Sequence, residues 1–581
     1  MKRFFMTFLA VVTAQIFITI LSITALFLLV GLVMLGSGGG ALEMPPSGYL
    51  WQTIPSSLPE FVPESSLPLR KKPPSLTSIL ENLEKAAVDK RIKGVVLSAD
   101  LPQIGWGKLQ EIRDRVAHIQ AAGKPVLFYS TFATTKAFYL ATACDSFFLH
   151  PQGFILLGGL NSEAFFAKGL LDRMGVEYQV SQIKEYKSMA EVFLRSDMSP
   201  EAKENATWLL EEIYDDLLAT LAADRGVDRA LVEGWFSTGQ YSSWDAEASG
   251  IIDGLLHKEE IENRLGIETG RCEFIDGGDY AEIPRADLSL AGDKIAVIHG
   301  EGLISSGESG FVFPFGISMG DETIVKALQD ALDNKSVKGI LIRLDTGGGL
   351  TTASDRIRQM VAEACAEKPV VVSMVDVTAS GGYMAAYPCE TLVALPNSIV
   401  GSIGSINMRS NISGLLNKVG ISVDRVTVGP HPTILSPFAN LTTDEFSRLE
   451  ELHWDMYNRW TASIADARGM TLDEVDAIAR GRVFTGRQAL ANGLVDHLGG
   501  FDLALELLKE KAGIPATEEV SFVHLPIQKN LLEKLASGEL SAAYSSLVSA
   551  RTESAPLEQT ATFWARCLRG DESLAMLWWR F

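Results

Sequence analysis

Histidine is scarce in this sequence, with 8 residues among 581, and cysteine is scarcer, with 5. Cys144, Cys272, Cys365, Cys389 and Cys567 are far apart and form no CxxC pair, so neither a disulfide framework nor a zinc site follows from them. Cys144 and Cys389 stand in apolar surroundings that suit core positions. Excess basic charge is missing too. The formal net charge is −21 and no basic patch stands out, which argues against a nucleic-acid partner. Nothing in the composition resembles a disordered chain, and the length calls for two or more domains.

After Arg3 the N-terminal segment lacks charge. No charged residue occurs between Arg3 and Glu43, and residues 4–35 are almost wholly apolar. A bilayer needs about 20 such residues, and a cleaved signal peptide has a shorter apolar region. The sequence therefore predicts an uncleaved signal anchor over residues 1–36, followed by a Pro/Ser-rich linker over 37–75. Lys2 and Arg3 precede the span and the next basic residue is Arg70. The positive-inside rule then places the main body across the membrane, on the periplasmic or extracytoplasmic side of a bacterial inner membrane.

Beyond the linker the chain carries one unit twice, at a separation near 245 residues. "RIKGVVLSAD" (91–100) matches "SVKGILIRLD" (336–345), and "AAGKPVLFYSTFATTKAFYLATACD" (121–145) matches "CAEKPVVVSMVDVTASGGYMAAYPCE" (365–390). "LHPQGFILLGGLNS" (149–162) matches "ALPNSIVGSIGSIN" (394–407). Short apolar strands such as "KGILIRL" and "PVVVSMV" alternate with helical periods such as "TASDRIRQMVAEACA". That alternation implies βαβ units and largely parallel sheets. The expected fold is α/β, with two repeats over 76–275 and 290–510 and an extension over 511–581. The end of the extension reads as an amphipathic helix docked on its own domain or on a surface.

The copies differ at chemically loaded positions. Ser380, opening a helical pattern before two glycines, stands opposite Lys136, and the turn "DTGGG" (345–349) stands opposite "DLPQI" (100–104). In the reverse direction, "SQIKEYKSMAEVF" (181–193) aligns with "TVGPHPTILSPF" (427–438), which has no lysine, so Lys187 falls opposite Pro432. A serine in one copy and a lysine in the other suggest one site assembled from both. A serine at a helix start is ordinarily a cap. As a nucleophile it needs a base, and no histidine lies between Ser380 and His431. A lysine made neutral by burial can serve. Backbone N–H groups of Gly381, at the helix start, and of Gly348 or Gly349, in the glycine turn, could hold an oxyanion. Ser402 in "VGSIGS" could orient the lysine.

Together "ASGGY", "VGSIGS" and "YKSMAEVFLRSDMSPEAKE" resemble the long, two-domain form of the signal peptide peptidase A (protease IV) family over residues 1 to about 510. That resemblance implies a Ser/Lys-dyad serine endopeptidase on a tandem crotonase/Clp-protease-like fold, behind one N-terminal transmembrane helix. It implies signal peptides and other short or unfolded peptides as substrates, no metal or cofactor, and a homo-oligomer, expected to be a tetramer. It makes Ser380 the nucleophile, Lys187 the general base, Ser402 the orienting residue, and Gly348 and Gly381 the oxyanion donors. The family commonly has Ser-Pro-Gly-Gly where this chain has Thr346-Gly347-Gly348-Gly349. Two alternatives remain: a Ser/His protease using His431, and a catalytically silent membrane scaffold of the same fold.

Overall fold

A computed structural model of the chain describes residues 47–63, 72–265, 273–283, 293–312 and 316–527. The anchor expected over 1–36, much of the expected linker and the tail after 527 lie outside these residues. Among the described residues, no helix is long and apolar enough to cross a membrane.

The first repeat begins with β1 (Gly48–Thr53), α1 (Leu76–Val88), β2 (Ile92–Ser98), α2 (Trp106–Ala121), β3 (Val126–Ser130), α3 (Thr135–Ala141) and β4 (Ser146–Leu149). After α4 (Lys168–Met174) and β5 (Glu177–Gln182) come α5 (Pro200–Arg225), β6 (Gly254–Leu255) and β7 (Glu273–Asp276). Six of these strands form one parallel sheet in the order β7-β1-β2-β3-β4-β6. Strand β1 falls inside the expected linker. Its residues "GYLWQT" sit among prolines and serines, and only the buried Leu50 and Trp51 show that they join the core.

The second repeat repeats the plan. It has β8 (Lys294–Glu301), α6 (Asp321–Asp333), β9 (Val337–Thr346), α7 (Thr351–Glu367), β10 (Val370–Ala379), α8 (Gly381–Ala386), β11 (Leu392–Ala394) and β12 (Ile399–Gly401). Then come β13 (Ile406–Asn411), α9 (Ser413–Lys418), α10 (Thr443–Arg468), β14 (Val483–Thr485), β15 (His497–Leu498), α11 (Phe501–Lys511) and β16 (Ser521–Leu525). The sheet runs β14-β12-β10-β9-β8-β16, with β11 also on β10 and β15 on β11, and only the β12–β14 pair is antiparallel. Strand β16, in the extension expected to have no counterpart, pairs with β8 from Lys294 to Ile298. Both long helices start and stop where their sequences say. Ser199 caps α5 with Pro200 behind it, Thr442 and Glu445 close a capping box on α10, and the left-handed Gly226 and Gly469 end them.

One contradiction with the cysteine reading appears. Cys365 and Cys389 are disulfide-bonded, joining the end of α7 to the chain after α8. They come together only because α7 and α8 pack side by side, which spacing alone does not reveal. Cys144 stays a free thiol.

The repeats meet through charge. Arg343 on β9 is fully buried, donating from Nε to Glu60 Oε1 (2.8 Å) and from both terminal nitrogens to Glu111 (2.6 and 2.7 Å). Both carboxylates belong to the first repeat. Removing one member of a buried ion cluster strands the others, at a cost of roughly 3–5 kcal/mol. Arg343→Ala is expected to lower stability by that amount in denaturant unfolding, and an unchanged midpoint would contradict the role given to this cluster.

Candidate active site

Strand β5 leaves the first repeat and pairs antiparallel with β13 of the second, Glu177 with Asn411 through Gln182 with Ile406. This cross-repeat ribbon delivers the next residues into the second repeat. Lys187 sits at the start of a 3-10 turn, 5% exposed, with its backbone wedged against Gly481. A side chain at position 481 would stand 2.4 Å from the Lys187 nitrogen, and φ there is +84°. Only glycine fits. The aliphatic stem of Lys187 passes Gly404.

Ser380 ends β10 and opens α8. It occupies the N-cap position but makes no side-chain capping bond, so the ordinary explanation of a helix-opening serine does not apply. Its φ of +55° and ψ of −118° lie in a strained region for a side-chain-bearing residue. Four described non-glycine residues have positive φ: Lys184, Ser380, Ser402 and Arg480. All four lie on segments that frame Lys187 and Ser380. Ser380 N–H donates to the Gly401 carbonyl (2.8 Å), and Ser402 N–H to the Arg482 carbonyl (2.6 Å), which fixes both serines by their backbones.

The three side chains meet. Lys187 Nζ is 2.9 Å from Ser380 Oγ, 2.8 Å from Ser402 Oγ and 2.9 Å from the Ser402 carbonyl oxygen. Burial is the cause that moves this amine, pushing its pKa down to about 7. Such an amine is largely neutral at slightly alkaline pH and can accept a hydroxyl proton.

The glycines divide differently from expectation. Gly348, at φ +98°, packs against the serine, where a Cβ would stand 2.5 Å from Gly381 N and 2.8 Å from Ser380 Cβ. Its own N–H, however, donates to Thr346 Oγ1 (3.1 Å), whose hydroxyl donates onward to the Gly302 carbonyl (2.6 Å). Gly348 therefore contributes space, and its N–H is already used. The Gly381 N–H opens α8 and has no intrahelical acceptor. Thr346 and Gly481 are site residues that sequence reasoning missed. The glycine signal at 481 was present, but nothing local tied it to Lys187.

His431 is not brought to the serine. Its Nδ1 lies 3.1 Å from Glu445 Oε1 on a half-exposed loop. The alternative base is thus held elsewhere, while the amine occupies the position beside Ser380 Oγ. In the first copy, α3 is capped at Thr134 with an ordinary extended φ of −98°. Lys136 lies within α3, and its amine donates to the Ile104 carbonyl (2.7 Å). The residue at the elbow of the first copy is therefore Thr134 and not Lys136, because the second copy carries two extra residues between its Lys-Pro pair and its helix.

The family described as peptidase family S49 matches residues 118–270 and 362–515. A chloroplastic serine protease SPPA of Arabidopsis thaliana is 32% identical over 472 residues, 80% of this chain and 70% of that protein. Protease 4 of Salmonella typhi is 33% identical over 75% of this chain and 72% of its own length. Protease 4 of Haemophilus influenzae is 30% identical over 82% and 81%. Among solved structures, ClpP1 from Listeria monocytogenes covers 36% of this chain and 91% of its own at 17% identity, with a TM-score of 0.22, too low to carry weight.

Proposed function

Because this chain belongs to peptidase family S49, matched in both of its repeats, we propose that it is a membrane-anchored endopeptidase working through a Ser380–Lys187 dyad. One observation carries the reading: a buried amine with its pKa near 7 stands 2.9 Å from the hydroxyl of a strained serine. Neutral Lys187 takes the Ser380 proton as the alkoxide attacks a peptide carbonyl. The Gly381 N–H faces the developing oxyanion, next to Gly348, which carries no side chain to cover it. Lysine then gives its proton to the leaving amine, and water repeats the sequence on the acyl-enzyme. Ser402, with its hydroxyl and carbonyl on Nζ, keeps the amine aimed. Losing one such hydrogen bond costs about 1.5 kcal/mol, so Ser402→Ala is expected to lower kcat about 10-fold in steady-state assays.

The substrates we assign are signal peptides and other short or unfolded peptides, at the extracytoplasmic face of a bacterial inner membrane. The apolar segment 4–35 supports that placement. A fluorophosphonate probe should label Ser380, and an apolar signal-like peptide should be cleaved while a folded protein survives. An unlabelled Ser380 in the intact protein would favour the silent scaffold instead.

Assembly into a homo-oligomer, a tetramer by family, has support in the repeat. Within the chain, the end of α4 packs on the start of α9, with Gly175 and Gly414 so close that a Cβ on either would stand 2.6–2.7 Å from the other's backbone. The positions 245 residues away, Gly169 and Gly420, face open space, and the chain neighbours of Gly420, Val419 and Ile421, are exposed. A second copy would complete the same contact there. Gly420→Arg should reduce the assembly to smaller species in analytical ultracentrifugation, and an unchanged mass would remove this interface.

A further inference from the structure

Shortly before Ser380, the strand that carries it breaks register. Along β9 and β10 the partners run Leu344 with Met374 and then Thr346 with Thr378, so β10 holds two residues more than β9 over this stretch. The first copy pairs Val95–Ser98 with Val126–Tyr129 without interruption. The bulge turns Asp376 toward the first repeat. Its carboxylate accepts from the N–H groups of Gly105 (3.1 Å) and Lys108 (2.9 Å), at the start of α2, whose own N-cap supplies no side-chain bond. A side chain at 105 would stand 2.1 Å from the Asp376 carboxyl carbon, and one at 107 would stand 2.5 Å from the Val375 carbonyl oxygen. Two glycines are what let the helix approach.

The Lys108 amine closes the arrangement. It is buried, 2.8 Å from Asp345 Oδ2, 3.4 Å from Glu301 Oε1 and 3.9 Å from Asp376 Oδ2, and it donates to the Leu58 carbonyl (2.9 Å). Asp345 also accepts the Val377 N–H (3.1 Å) and immediately precedes the glycine turn. Lys108 thus contacts the ends of both β9, which leads into the glycine turn, and β10, which leads into Ser380, from the repeat that does not contain the serine.

We infer that Asp376 and Lys108, with the bare backbone of Gly105, form a latch between the repeats that positions Ser380 for acylation. The inference rests on Ser380 being the nucleophile. Both are positioning residues, since neither touches the reacting atoms. A helix N-terminus carries unpaired N–H groups and partial positive charge, which a carboxylate satisfies. Without the lysine, three neighbouring, partly buried carboxylates are left facing one another. Gly348 leaves no slack at the serine, so a shift of β10 is passed directly to Oγ. Lys187 is gripped separately by Gly481, Gly404 and Ser402, so the latch acts on the serine side of the pair.

The test compares the full-length protein in detergent with Lys108→Met, Asp376→Asn and the double variant. Per folded molecule, kcat and the rate of Ser380 acylation by a small fluorophosphonate should fall about 10- to 100-fold. KM should stay within about twofold, and the double variant should be no worse than the poorer single one, as coupled residues behave. Should Lys108→Met not fold, Gly105→Ala keeps every charge, adds one methyl against Asp376 and carries the same expectation. Normal acylation per folded molecule in these variants, with wild type labelled at Ser380, overturns the latch alone. Wild type that is not labelled at Ser380 overturns the nucleophile instead.

Discussion

Lys187→Met is expected to abolish peptide hydrolysis while making the protein more stable below about pH 9. The activity loss follows from the geometry, because no other base stands beside Ser380 Oγ among the described residues and the hydroxyl alone is a weak nucleophile. Loss of one member of such a unit costs on the order of 10⁴-fold or more in kcat. The stability gain follows from burial. The amine titrates near 7 in the folded chain against an ordinary value of 10.5. Between those values the unfolded chain binds a proton that the folded chain does not, so wild-type stability rises with pH across that window. Below pH 7 the penalty is at its full size, a few kcal/mol, and methionine does not incur it. Thermal unfolding of both proteins from pH 6 to 10.5 should show the variant ahead at low pH and its lead narrowing upward. A lead that stays constant with pH would mean the lysine is not held neutral by the fold.

Ser380→Ala should be as inactive as Lys187→Met, and the lost activity should not reflect unfolding. The serine backbone is strained, with φ at +55°, and alanine keeps that strain while glycine removes it. Ser380→Gly is therefore expected to be about 1 kcal/mol more stable than Ser380→Ala, although both lack hydrolysis. Equal stability of the two would indicate that the elbow is not strained. Residual activity in either above the background of Lys187→Met would place the nucleophile elsewhere.

Much of this was legible in the residues. The duplication was visible because both copies kept the strand cores "KGVVLS" and "KGILIR" and the Lys-Pro entry to the next strand. The pairing of Ser380 with Lys187 was legible because each copy lost what the other kept. The glycine-flanked turn of Ser402 suggested a place near the lysine, and its hydroxyl stands 2.8 Å from Nζ. Other features depended on tertiary contact. Strand β1 hid among prolines because only its neighbours β2 and β7 make "GYLWQT" a strand. The Gly348 N–H looked available until Thr346 Oγ1 claimed it. Cys365 and Cys389 are 24 residues apart and meet through helix packing. Asp376 resembled any polar residue near a strand end, and its meaning lies in a helix from the other repeat.

The pH dependence of Ser380 acylation tests the central claim most directly, because it reads the proton acceptor and bypasses substrate binding. The acylation rate with a small fluorophosphonate should rise tenfold per pH unit below an inflection near 7 and then level off. His431→Ala should leave that inflection in place. A rate flat from pH 5 to 9, or an inflection that disappears in His431→Ala, would contradict a neutral Lys187 as the base.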